Sequence, residues 1–161
     1  MKNFKRVLAF VLAGVLTLAM LTACDSVGED PTEKLVKEKC TAYMQEALKG
    51  TDTIVEEDAK LQQIAAAAVQ AGWKKNEKDV AFATTKDNKT VIITWTGVTF
   101  TNRELPALTA AKGEIIKNIK NTENGYYDKF GVHAEKAYVY TAVRNGEVLV
   151  AFVFQFPSAS K

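Results

Sequence analysis

The chain has 161 residues, and its 21 basic and 19 acidic residues give a formal net charge of +2. This length is enough to bury one hydrophobic core, and charges of both signs alternate along the chain instead of forming the basic patch that nucleic-acid binding requires. One histidine excludes a catalytic site of several histidines, and with two cysteines it leaves too few ligands for structural zinc, so we expect neither metal nor cofactor.

The N-terminus has the pattern of a secretory signal. Lys2, Lys5 and Arg6 precede an almost wholly apolar run over residues 7–20. That run is shorter than the roughly 20 apolar residues that a spanning helix needs, and it leads into a candidate cleavage site. We therefore expect residues 1–23 to be removed on export, which leaves 18 basic against 19 acidic residues and a net charge of −1.

The cleavage site, Leu21-Thr22-Ala23-Cys24, resembles the lipobox of bacterial lipoproteins. Small residues give a membrane peptidase access to the backbone, and a thiol is the nucleophile that accepts a diacylglyceryl group. The resemblance implies that Cys24 becomes the lipidated first residue of a protein anchored to the outer face of a bacterial cytoplasmic membrane. The alternative is a chance cysteine after an ordinary signal peptide. Residues 24–30 then form a tether of about 20 Å at full extension.

A first helix is predicted after the tether. Asp30 is a capping residue before Pro31 at the first helical position, and Gly50 lies where the helix is expected to stop. Cys40 falls on the apolar stripe of this helix, where a free cysteine usually serves as a small core residue. Because Cys24 carries the lipid, Cys40 has no partner for an intrachain disulfide.

A second helix is predicted to end at Gly72. Thr53 and Glu56 have the spacing of a capping box, which places the start of the helix there. The acidic run over residues 56–58 then occupies the first turn, where negative charge complements the helix dipole.

Two strands are predicted between residues 80 and 101, where the apolar period changes to two. Within the second strand the apolar residues change face after Trp95. A bulge at Gly97 is expected to return Val98 and Phe100 to the face of Trp95 and to leave the threonines outward.

A third helix is predicted over about residues 106–120, and residues 121–125 are expected to break it. Tyr126 and Tyr127 would then lie on a polar loop, where aromatic rings stack on a sugar or a partner surface, or fold back onto the sheet. His133 is expected in a loop or at a strand edge. These three side chains are the candidate contacts for a ligand or partner.

The turn Asn145-Gly146 is a strong signal for a two-residue β-hairpin, and it pairs Val143 with Val148. Both faces of this hairpin are mostly apolar, so it needs cover on both sides. We therefore expect one α+β domain over residues 31–156, with a three-layer α-β-α arrangement, a mainly antiparallel sheet and a C-terminal β-hairpin. Residues 157–161 are expected to form a tail.

The order of elements and two segments resemble the cysteine-rich secretory protein, antigen 5 and pathogenesis-related (CAP) superfamily. The segments are the alanine-rich helix at residues 58–68 and Phe130-Gly131-Val132 before the final hairpin. The resemblance implies an α-β-α sandwich. The chain lacks the two cleft histidines of that family with their acids, so a metal-binding cleft is not implied.

No complete catalytic constellation is visible. The serines, Ser26, Ser158 and Ser160, lie near the chain ends, which argues against a Ser-His-Asp hydrolase. Cys40 and His133 could pair as thiolate and imidazole, but the apolar stripe favours a core role for the thiol. The favoured interpretation is a non-catalytic module that binds a cell-envelope component or a protein partner. The alternatives are a wall- or peptide-processing enzyme that uses carboxylates assembled by the fold, and a small-ligand carrier.

Overall fold

The computed structural model describes residues 30–72 and 80–158. The elements in chain order are α1 (Pro31–Ala47), β1 (Ile54–Val55), α2 (Ala59–Gly72), β2 (Val80–Thr84), β3 (Thr90–Phe100), a 3₁₀ turn (Asn102–Glu104), α3 (Leu105–Ala110), α4 (Lys112–Phe130), β4 (Lys136–Arg144) and β5 (Glu147–Phe156). In this part of the chain the strands form one sheet in the order β1-β4-β5-β3-β2. The β1–β4 pair is parallel and the other pairs are antiparallel.

Helices cover both faces of the sheet, which confirms the predicted α+β class and its three α-β-α layers. The core beneath α1, α3 and α4 includes Val36, Cys40, Met44, Leu108, Ile115, Ile119, Val139, Val150, Phe152 and Phe154. The core beneath α2 includes Leu61, Ala65, Val69, Val91, Ile93, Trp95, Leu149, Ala151 and Val153. Alternate residues of β3 and β5 enter the two cores, so these central strands are apolar on both faces. Among residues 30–72 and 80–158, no helix is long and apolar enough to cross a membrane.

The C-terminal hairpin has the predicted register. Val143 pairs with Val148. Asn145 and Gly146 have φ angles of 51° and 76°, as a type I′ turn requires at both central positions. Each face of this hairpin enters one of the two cores, which explains why both faces are apolar.

The second helix begins later than predicted. The segment between Thr53 and Glu56 forms β1, which pairs with the start of β4. The cap of α2 is Asp58, whose Oδ1 accepts hydrogen bonds from the backbone N–H groups of Lys60 at 2.9 Å and Leu61 at 3.1 Å. The predicted capping box and the acidic first turn are therefore wrong, because pairing with a neighbouring strand outweighs the local capping preference.

The bulge in β3 is present, but its consequence differs from the prediction. Gly97 has a φ of 70°, and Trp95 and Thr99 pair with β5 residues that are only two positions apart. Two extra residues are therefore inserted instead of one, and the alternation of faces is preserved across the bulge. Phe100 stays on the face opposite Trp95, and Val98 is exposed.

The predicted break over residues 121–125 is wrong. The chain bends at Ala111, between α3 and α4, and α4 then continues to Phe130. It ends at Gly131, which has a φ of 72° and donates its N–H to the Tyr127 carbonyl. A glycine inside a helix costs about 1 kcal/mol of helix stability. In α4 the packing of a long apolar stripe against the sheet outweighs this cost.

Candidate functional site

A groove of about 490 Å³ lies between α4 and the β2–β3 side of the sheet. Its apolar lining includes Phe100, Ala107, Ala111, Ile115, Ile119 and Phe152. Its polar lining comprises Thr94, Thr96, Glu114, Asn118, Asn121 and Thr122. The groove therefore combines an apolar floor with hydroxyl and amide groups and one carboxylate, a composition typical of ligand sites.

Side-chain size explains why the groove is open. The part of α4 above it carries Asn118 and Thr122, which are too short to fill the space to β3. One turn further along, Tyr126 fills the corresponding space. Its ring centroid lies 6.0 Å from that of Phe82 and 5.9 Å from that of Phe156. The aromatic end of α4 is thus packed against the sheet, and the end nearer α3 leaves a cavity.

The described lining of the groove offers no positive charge to an anionic ligand. Among its described lining residues the one charged side chain is Glu114, and no lysine or arginine is present to hold a phosphate or carboxylate. An apolar ligand segment would gain about 0.8 kcal/mol for each methylene buried on the floor. The amides and hydroxyls would orient a ligand through hydrogen bonds.

A second concavity of about 310 Å³ lies between α1, β1 and β4 and contains three glutamates. Glu57 lies 2.7 Å from Lys37, and Glu56 lies 2.9 Å from Lys136. Burial favours a lower pKa for Lys37, but its hydrogen bond to Glu57 and the nearby charges outweigh burial and raise the pKa. Glu56 and Glu57 are therefore held in ion pairs, an arrangement poorly suited to exchanging protons with a substrate.

The structure brings together two of the three predicted contact residues. His133 lies in the loop between α4 and β4, and its ring stacks on Tyr127 with centroids 4.3 Å apart. Tyr126 turns away from them onto the sheet. Both tyrosines lie on α4, so their expected position on a polar loop is wrong.

Sequence reasoning missed Glu123. Its carboxylate is 2% exposed, and its Oε1 lies 2.7 Å from His133 Nδ1. Glu123 follows Ile119 by one helical turn, so a continuous helix would have placed it on the apolar stripe. Because the helix was predicted to break over residues 121–125, Glu123 was not recognised as part of this stripe. The pair orients the imidazole, but among the described residues no group of three or more His, Cys, Asp or Glu side chains could hold a metal ion.

Cys40 does not supply a nucleophile. It has no exposed surface and lies in the core beneath α1. Burial raises the pKa of its thiol to about 12, so the reactive thiolate is scarce at neutral pH. The thiolate–imidazole pair with His133 is therefore not favoured.

The signal segment and Cys24 lie outside the described residues. No family model, curated protein or solved structure matches the chain. Function is therefore inferred from the geometry of the groove and from the pattern of the N-terminus.

Proposed function

We propose that this protein is a lipid-anchored module on the outer face of a bacterial cytoplasmic membrane, and that its groove binds an apolar segment of a cell-envelope component. The groove between α4 and β3 is the observation that carries the binding role, because its apolar floor is open to a ligand. The lipobox ending at Cys24 supports the location.

A binding role has more support than catalysis. General acid–base chemistry needs a titratable group within reach of a bound substrate. The groove contains one carboxylate, Glu114, and the glutamates of the second concavity that pair with lysines are already occupied. The other polar groups around the apolar floor are neutral hydroxyls and amides, which serve recognition and are weak proton donors and acceptors.

Photo-crosslinking in intact cells tests the proposal. A photoreactive side chain replaces Asn118, which lines the groove, or Lys120, which is exposed on α4 and does not line it. We expect a discrete adduct from position 118 and none from position 120. The mass of the adduct identifies the envelope component, and equal labelling at both positions would contradict a groove-specific ligand.

A second test blocks the groove with a large side chain and compares it with the same substitution on another helix. Ala107→Trp places an indole at an exposed position in the groove lining, and Ala67→Trp places one at an exposed position of α2. We expect Ala107→Trp to abolish the adduct and Ala67→Trp to preserve it. If the purified protein turned over wall fragments or peptides, and a point substitution abolished that turnover, the enzyme alternative would replace this proposal.

A further inference from the structure

The two edges of the sheet differ in how they are protected. At one edge, β1 is only two residues long, and the next two residues, Glu56 and Glu57, form ion pairs with Lys136 and Lys37. Short strands and charged side chains are the features by which proteins prevent an edge from pairing with another chain. At the other edge, β2 has five residues, and none of them is charged. Among residues 30–72 and 80–158, no strand lies beyond β2.

The backbone of β2 offers hydrogen-bonding groups at this edge. Thr85 donates its N–H to the Lys89 carbonyl at the end of the β2–β3 hairpin. Because the bonds of an antiparallel ladder alternate, Ala83 bonds to β3, and the N–H and C=O groups of Phe82 and Thr84 point away from it. Phe82 is 40% exposed, and Thr84 is exposed as well. These two positions can therefore pair with a further strand.

The groove reaches this edge of the sheet. Val80, Thr94 and Phe152 are cross-strand neighbours in β2, β3 and β5, and all three line the groove. Val80 and Phe82 share the face of β2 that is turned toward α4, where Phe82 contacts Tyr126. A strand added beyond β2 would lie about 4.8 Å from it. Its side chains on this face would therefore lie beside Val80 and Phe82, next to the groove.

We propose that the ligand of the groove is an extended polypeptide segment of an envelope protein, which pairs with the outer edge of β2 and places an apolar side chain in the groove. This inference rests on the proposed function and names the chemical class of its ligand. Backbone pairing would supply affinity, and the apolar side chains of Val80 and Phe82 would favour a segment with apolar residues at alternate positions. An acyl chain could fill the groove, but it could not use the N–H and C=O groups of β2.

Photo-crosslinking at the two edges of the sheet tests the pairing. In the full chain in intact cells, a photoreactive side chain replaces Thr84 in β2 or Ile54, which is 54% exposed in β1 at the opposite edge. We expect position 84 to capture the same component as position 118 in the groove, and position 54 to capture none. Mass spectrometry after trypsin digestion should find peptides of a second protein joined to this chain. A lipid or glycan adduct at position 118 would overturn this inference and leave the groove as a binding site.

Two proline substitutions test the backbone hydrogen bond. Thr84→Pro removes an N–H that points away from β3, so the ladder between β2 and β3 keeps its bonds. Lys86→Pro is the matched control, because Lys86 is exposed and lies in the turn that the Asn88 N–H closes on the Thr85 carbonyl, at the position that favours proline. We expect Thr84→Pro to lower the yield of the position-118 adduct about fivefold or more, and Lys86→Pro to preserve it.

Circular dichroism first establishes that both proline variants are folded. Equal adduct yields from the two folded variants would overturn the strand pairing. If Thr84→Pro does not fold, the comparison of positions 84 and 54 decides, and equal capture at both edges would overturn the inference. If position 118 captures nothing in the otherwise unaltered chain, the proposed function fails, and this inference fails with it.

Discussion

The side chain of Glu123 is buried in the core beside His133, with which it shares a hydrogen bond. A carboxylate that is 2% exposed pays a large desolvation cost unless a hydrogen bond compensates, and His133 Nδ1 at 2.7 Å provides that bond. The stacking of the imidazole on Tyr127 restricts its rotation and keeps the nitrogen in place. His133, which attracts attention as the lone histidine, thus has a structural role that the geometry explains.

The first prediction follows from this contact. We expect His133→Ala to lower the free energy of unfolding by about 1–3 kcal/mol, because the buried carboxylate of Glu123 loses its partner. The neighbouring Val132→Ala, at an exposed position, should change it by less than about 0.5 kcal/mol. Urea unfolding followed by circular dichroism measures both values. Equal stability of the two variants would show that the Glu123–His133 bond contributes little.

At the scale of elements, one lysine connects three segments. Lys136 at the start of β4 lies 2.9 Å from Glu56, the residue after β1, and 3.0 Å from Asp58, the cap of α2. Partial burial tends to raise the pKa of the Asp58 carboxyl. The hydrogen bonds from Lys136 and from the backbone N–H groups of Leu61 and Lys60 outweigh this, and the pKa is lowered. The charged form of Asp58 therefore stabilises the fold.

The second prediction concerns the pH dependence of that contribution. Because the folded pKa of Asp58 lies below its ordinary value of about 3.9, the contribution is complete above that pH and is lost as the pH falls through the folded pKa. Asp58→Asn keeps a capping side chain but removes the charge. We expect this variant to be less stable than the wild type at pH 6, with a difference that shrinks toward pH 3.

Thermal unfolding of both proteins at a series of pH values tests this, with Asp58→Ala as the control. Alanine removes the cap as well, so it should cost about a further 1 kcal/mol at every pH. A difference between the wild type and Asp58→Asn that does not change with pH would exclude the ionic contribution.

Elements that a local pattern determines could be predicted from the sequence, and elements decided by distant contacts could not. The hairpin at Asn145-Gly146 follows from two adjacent residues, and its register was correct. The start of α2 depended on pairing with Lys136 and its neighbours, some 80 positions away in the chain. The length of α4 depended on its stripe against the sheet, so the burial of Glu123 was also missed.

The groove was beyond sequence reasoning for a related reason. Its lining comes from β2, β3, α3, α4 and β5, and it exists because Thr122 is short where Tyr126 is long. No single segment carries a pattern that identifies such a cavity. The hairpin with two apolar faces predicted the three layers, but it could not predict where the packing between a helix and the sheet would leave a cavity.

On the scale of the whole molecule, the candidate functional features lie on one side of the sheet. The groove lies beneath α4, and the chain enters through α1 on the same face. The opposite face is closed by the alanine-rich helix α2, which packs closely through Ala65 and Val69. In the proposed lipid-anchored state, this division would leave the face with the groove available to a ligand while the other face maintains the core.

The last prediction tests the anchor on which the whole-molecule interpretation depends. Several acyl chains hold a protein stably on a bilayer where one chain binds marginally, so lipidation of Cys24 should place the mature protein in the membrane fraction. Cys24→Ala removes the acceptor thiol. We expect the variant to incorporate no alkyne-tagged palmitate and to keep residues 1–23, whereas the wild-type chain loses them. Cys40→Ala, which alters the other cysteine, should be tagged and cleaved like the wild type. Intact-protein mass spectrometry of both variants reads out processing and lipidation together, and a tagged, processed Cys24→Ala protein would exclude Cys24 as the site.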